Sequence, residues 1–155
     1  MTEKAVKTDK VRDSIKSAMK LLAVRDYFSC ELRGKLILKG ASEHEADAAI
    51  EYVSKFGYVN DAETLKKYSC ELAAKRKGFY YLKKKLYDKG CMEIVSSFDL
   101  RDFYTVKMEK EAITEWLEKV GNHDKKVLLK KLSSRGFASE AVYEVLGILK
   151  DNDME

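Results

Sequence analysis

In this 155-residue chain, two histidines, three cysteines and one lysine-rich run have types and spacing that bear on chemistry. His44-Glu45 opens an HExxH pattern, in which two imidazoles one helical turn apart would hold zinc beside a glutamate base. Position 48 is Ala48, so the second ligand is missing. His123 lies in GNHDKK and reads as part of a polar turn. Cys30, Cys70 and Cys91 are odd in number and form no CxxC pair. Three separate small thiols in a reducing compartment are therefore expected, with neither a zinc knuckle nor a disulfide framework. No phosphate loop of the GxxxxGK(S/T) type and no GxGxxG is present. Carboxylates lie in charged runs with nothing to pair them in a pocket, and Trp116 fits a core. The chain is not expected to be an enzyme, nor to carry a metal or other cofactor.

The lysine-rich run remains. RKGFYYLKKKLYDKG, Arg76 to Gly90, holds six basic residues against Asp88, with Tyr80, Tyr81 and Tyr87 among them. The formal net charge is only +4, but it is sorted by segment. Lys125, Lys126, Lys130, Lys131 and Arg135 make a second basic stretch, whereas Ala41 to Thr64 and Phe137 to Glu155 are acidic. Such sorting concerns partners rather than fold. On a helix, Phe79, Leu82 and Leu86 converge on one buried side. Lys84, Tyr80 and Asp88 then lie opposite, with Lys83 and Lys85 on the flanks.

These side chains need elements to carry them. Hydrophobic residues make up 45% of the chain and are spread along it, which provides material for a core. No apolar run approaches the roughly 20 residues that span a bilayer. The N-terminal MTEKAVKTDK lacks a signal-peptide stretch, so a cytoplasmic protein without a membrane partner is expected. Proline is absent, leaving every backbone donor available for helices. Ile113, Trp116, Leu117 and Val120 mark one helix face, and Val142, Val145, Leu146 and Leu149 another. Ser42 with Glu45, and Asn60 with Glu63, have capping-box spacing. Gly40, Gly57, Gly90, Gly121 and Gly136 stand at plausible helix ends. The chain reads as all-α, with eight or nine short helices.

A motif recurs three times. Leu32, Lys35, Leu36, Lys39 and Gly40 return as Leu82, Lys85, Leu86, Lys89 and Gly90, and again as Leu128, Lys131, Leu132, Arg135 and Gly136. Leucines four apart share a helix face, and the basic residue of the last turn complements the helix dipole. The tetrapeptide SCEL, at Ser29–Leu32 and Ser69–Leu72, is a coincidence whose surroundings do not align. Spacings of 50 and 46 residues between the glycines leave room for three helices per copy. The expectation is three tandem three-helix repeats, 8–57, 58–100 and 101–150, between a flexible tail at 1–7 and another at 151–155. Each repeat offers a small core, so neighbour contacts must contribute much of the stability, and an elongated, curved, right-handed array and a monomer are expected.

Four stretches in this order resemble the RecX family, regulators of the bacterial RecA recombinase: VRDYFSCELRGKLILKG, FGYVNDAETL, KRKGFYYLKKKLYDKG and LLKKLSSRGFASEAVYEVL. The resemblance covers nearly the whole chain. The family usually has serine at the positions of Phe28 and Ala138, whereas here Ser29 and Ser139 follow one residue later. Either the caps move by one residue or the helices begin late. Phe79 stands where the family often has proline.

The resemblance implies docking along the groove of a RecA–DNA filament, bridging neighbouring protomers and hindering filament growth, ATP turnover and strand exchange. Arg76, Lys77, Tyr80, Lys83, Lys84, Lys85, Lys130, Lys131 and Arg135 are the candidate partner- or DNA-contacting residues. Equivalent helices of neighbouring repeats would join their basic patches into one stripe. The alternative use of that stripe is direct binding of single- or double-stranded DNA without the recombinase.

Overall fold

The computed structural model describes residues 3–147, with side chains from Asp9 onward. Its order is α1 (Glu3–Val24), α2 (Ser29–Leu38), α3 (Glu43–Lys55), α4 (Asp61–Ala74), α5 (Phe79–Asp88), α6 (Met92–Ser97), a 3-10 turn (Leu100–Asp102), α7 (Val106–Val120), α8 (Lys125–Ser134) and α9 (Ser139–Leu146). The described residues are all helix and turn, as the apolar spacing predicts. Helix α1 begins at Glu3, inside the stretch expected as an N-terminal tail. Leu149 lies outside the described residues.

The recurring motif occupies the second helix of each triplet, α2, α5 and α8. All six of its leucines are buried: Leu32 and Leu36, Leu82 and Leu86, Leu128 and Leu132. The glycines that close it, Gly40, Gly90 and Gly136, have positive φ, as do Gly57 and Gly121. The capping box at α3 forms in full: Ser42 Oγ accepts from the Glu45 amide, and the Glu45 carboxylate accepts from the Ser42 amide. At α4, Asn60 Oδ1 accepts from the Glu63 amide at 3.2 Å.

The chain divides into two compact units. The first runs to Leu65 and takes in Lys89–Ile94. In it α1 lies against α2 and α3. Ala18, Leu32, Leu36, Ala46, Ala49 and Val53 form its centre, with Ile15, Met19 and Leu22 packed around them. The second unit holds Lys66–Asp88 and the chain from Val95 onward. There α9 lies against α7 and α8, over Ile113, Trp116, Leu132, Phe137 and Val142. Phe79 meets Tyr104 edge to face at 6.2 Å in the same unit, a geometry that suits the ring quadrupoles.

The cysteines need a correction. Cys30 and Cys91 are not separate thiols but a disulfide pair across 61 residues of sequence, with Cα atoms 5.5 Å apart. Cys70 is free and exposed. Sequence spacing carries no trace of such a pair, because only the return of Lys89–Ile94 to the first unit brings the two residues together.

The serine displacement at two helix starts also resolves. The N-caps remain at Phe28 and Ala138, and neither makes a side-chain cap bond. Carboxylates from other helices take over that work. Asp61, at the start of α4, accepts from the Ser29 amide at 2.8 Å and from its hydroxyl. Glu109, from α7, accepts from the Ala138 amide at 3.0 Å. A helix leaves its first amides without backbone partners, and an acid supplied through space satisfies them as well as a local cap does.

Candidate functional site

Helix α5 presents the basic run as its periodicity predicts. Phe79, Leu82 and Leu86 are buried, Tyr80, Lys83 and Lys84 are exposed, and Lys85 is half-buried. Their packing against aromatic rings orders the surface. Lys77 and Lys85 both stand over the Tyr81 ring, at 4.9 and 5.3 Å. Lys83 stands 5.1 Å from the Phe79 ring centre and 5.7 Å from that of Tyr80. Cation–π attraction of this kind is worth about 0.5–1 kcal/mol at an exposed site. It leaves the ammonium charge available to a partner.

The start of α5 is held by three hydrogen bonds to two other elements of the second unit. The Gly78 amide donates to the Arg135 carbonyl and the Tyr80 amide to the Gly136 carbonyl, each at 2.9 Å. The Phe79 amide donates to Glu109 Oε2 at 2.9 Å. The first amides of α5 therefore rest on the turn that ends α8 and on a buried carboxylate. The backbones approach so closely that a Cβ on Gly78 would overlap Gly136 and Phe137, and one on Gly136 would meet the Tyr81 backbone. Gly136 also has φ +84°, so its lack of a side chain serves both the turn and the contact.

Glu109 is completely buried and joins this arrangement at three points. Besides the amides of Phe79 and Ala138, it takes a 2.9 Å ion pair from Arg101 Nη2 on its other oxygen. Arg101 also stacks on Phe79, 3.8 Å from the ring centre. Tyr104 donates its hydroxyl to the Lys77 carbonyl at 2.5 Å. Burial, then the nearby Glu109 charge, pushes the Tyr104 phenol well above its usual range, against the opposing pull of Arg101. That phenol stays neutral and keeps donating.

The nine candidate residues all fall in the second unit, but they divide in character. Arg135 spends its guanidinium on structure, donating from Nε to the Arg76 carbonyl at 2.8 Å and from Nη2 to the Lys75 carbonyl at 3.0 Å. Arg76 is half-buried and adopts φ 58°, a left-handed conformation that costs a non-glycine residue about 1–2 kcal/mol. Its Nε lies 3.9 Å from Glu115 and makes no hydrogen bond. The backbone around Arg76 and Lys77 closes the end of α4, with their amides reaching the Ala73 and Leu72 carbonyls at 2.9 Å each.

Lys130 and Lys131 are exposed on α8. The two basic stretches are thus joined where the end of α8 supports the beginning of α5. Among the described residues no ion pair engages Lys83, Lys84, Lys85, Lys130 or Lys131. The residues that position this surface, Glu109, Arg101, Tyr104 and Gly78, escape sequence reasoning. Glu109 sits in the charged run KMEKEA, which gives no sign of its burial. Gly78 and Gly136 each follow a basic residue at a helix junction, and that shared pattern is the one available hint.

The described residues contain no helix long and apolar enough to cross a membrane, and no cluster of potential metal ligands. A family model described as RecX, first three-helix domain, matches residues 15–52. The crystal structure of RecX from Lactobacillus salivarius has the same fold, with a TM-score of 0.71 and 20% identity over 90% of this chain and 96% of that one. The Regulatory protein RecX of Prosthecochloris aestuarii is 24% identical over 91% of this chain and 96% of its own length. That of Caldanaerobacter subterraneus subsp. tengcongensis is 30% identical over 137 residues, covering 84% of this chain and 68% of the relative. Identity of 30% to a relative of which the chain covers more than two thirds makes this chain a member of the RecX family.

Proposed function

We propose that the chain is a cytoplasmic, non-catalytic regulator that binds the RecA–DNA filament and modulates, mainly by inhibition, its ATPase and recombinase activities in DNA repair and recombination. The observation that carries this reading is the set of lysines on α5 and α8 that form no ion pair among the described residues. The chain holds 26 acidic residues against 30 basic ones, so these ammonium groups could have been paired internally. Left exposed, they attract an acidic polymer over a Debye length and speed encounter with it. Membership of a family whose relatives carry the name regulatory protein supports the same reading. The test is to titrate the purified chain into a RecA–DNA filament and follow ATP turnover and strand exchange. A graded fall in both is expected, and turnover unchanged at saturating protein overturns the proposal. Hydrolysis of ATP by the chain alone would overturn its non-catalytic character.

A second reading, direct binding of DNA without the recombinase, is favoured by one feature: Tyr80 is 55% exposed among the lysines, and a base could stack on its ring. Binding to naked single- and double-stranded DNA across a salt series separates the two. Six phosphate contacts would give a log–log slope of about −5. Inhibition of the filament with no binding to naked DNA at near-physiological salt assigns the surface to the filament.

A further inference from the structure

We infer that Cys30 and Cys91 form a reversible oxidative modification site, closed by a hydroperoxide and reopened by a dithiol, that fastens Lys89–Ile94 to helix α2. The inference stands apart from the filament reading and draws on a different part of the molecule. Both residues belong to the first unit, and Cα atoms 5.5 Å apart meet the geometric requirement for a disulfide. Their exposures differ: Cys91 is completely buried, whereas Cys30 is half-buried near the start of α2. Cys30 is therefore the sulfur that a small oxidant reaches, and Cys91 is the resolving thiol held beside it.

The chemistry balances with hydrogen peroxide as the oxidant. The Cys30 sulfur attacks one peroxide oxygen, the O–O bond breaks, and the chain gains a sulfenic acid while one water leaves. The Cys91 sulfur then attacks the Cys30 sulfur, the S–O bond breaks, and a second water leaves as the S–S bond forms. Two electrons pass from the two sulfurs to the peroxide, and both thiol protons end in water. A dithiol reverses the bond by exchange and is itself oxidised to a cyclic disulfide.

What the bond holds is also on view. Without it, the segment is tied to α2 by an ion pair: Lys89 Nζ lies 3.0 Å from the buried Glu31, which also takes Arg25 at 2.9 Å. Cys91 comes three residues after α5 ends at Asp88. Closing the pair removes the freedom of 61 residues of chain separation from the unfolded ensemble. The oxidised protein is thereby harder to unfold, with an ion pair and a covalent bond acting on the same segment.

The test uses the full chain carrying Cys70→Ser, which removes the exposed thiol. The protein is reduced, freed of reductant, exposed to hydrogen peroxide at a small molar excess, and then digested after thiol blocking. A peptide linking Cys30 to Cys91, an intact mass lower by two hydrogens, and a Tm raised by about 5 °C or more are expected. All three changes should vanish on adding a dithiol. Adding Cys30→Ser should abolish the link while circular dichroism shows the helices intact. Cys91→Ala serves as the second variant because its small apolar side chain suits the buried site. Oxidation of Cys30 to sulfinic acid with no linked peptide overturns the inference, as does a link that leaves Tm unchanged.

Discussion

Glu109 shows how much one side chain can organise. Its carboxylate is buried, yet it receives two backbone amides from the starts of different helices and a guanidinium from Arg101. Removing the charge strands Arg101 and weakens both helix starts. Glu109→Gln should lower unfolding free energy by about 3 kcal/mol, read as a shift of the urea midpoint. A change below about 1 kcal/mol would mean that the site relaxes around the substitution. Glu31 has a pH signature instead. Burial pushes its pKa up, but hydrogen bonds and charge from Arg25 and Lys89 outweigh that, so it lies below the ordinary glutamate range. A depressed folded-state pKa contributes stability above the unfolded value and loses it as pH falls through the folded one. The stability advantage of the native protein over Glu31→Gln should therefore be full at neutral pH and shrink below about pH 4.3. Urea midpoints measured across that range check the sign.

Between elements, the recurring device is an acid of one triplet's first helix holding the start of the preceding triplet's second helix. Asp61 of α4 does this for α2, and Glu109 of α7 does it for α5. The repeat is therefore a repeat of joints as well as of leucine faces. The joint under α5 has no room for a side chain, because Gly78 lies directly against the backbone of Gly136 and Phe137. Gly78→Ala should destabilise the second unit by about 2 kcal/mol or more, since a rigid backbone and not a flexible side chain must yield. Thermal unfolding measures this, and Gly40→Ala is the comparison: its added Cβ meets no atom within 4 Å, so only backbone strain at φ +107° is charged against it. Equal losses at the two positions would remove the close approach as a cause.

For the molecule as a whole, the consequence of the fold is the distribution of charge. Acids pair with Arg25, Lys89, Arg101 and Lys110, while among the described residues no ion pair engages the lysines of α5 and α8. Changing Lys83, Lys84 and Lys85 together to Glu should raise the concentration needed for half-inhibition of filament ATPase roughly tenfold or more. Helix content by circular dichroism should persist, because Phe79, Leu82 and Leu86 still bury the opposite face. Undiminished inhibition by that folded variant would remove this surface from the mechanism.

Features that depend on neighbours a few residues apart are written in the chain. Leucines at four-residue spacing, the Ser42–Glu45 box and the glycines at helix ends follow from helix geometry alone, so the all-α architecture and the buried side of α5 were legible. Which distant groups meet is settled by folding. Cys30 finds Cys91, Glu109 replaces a missing cap at Ala138, and Arg135 turns inward to carbonyls while Lys130 and Lys131 stay exposed. These contacts join residues from about thirty to sixty positions apart. Their partners are chosen by the path of the folded chain, and side-chain spacing along a helix holds no record of that path.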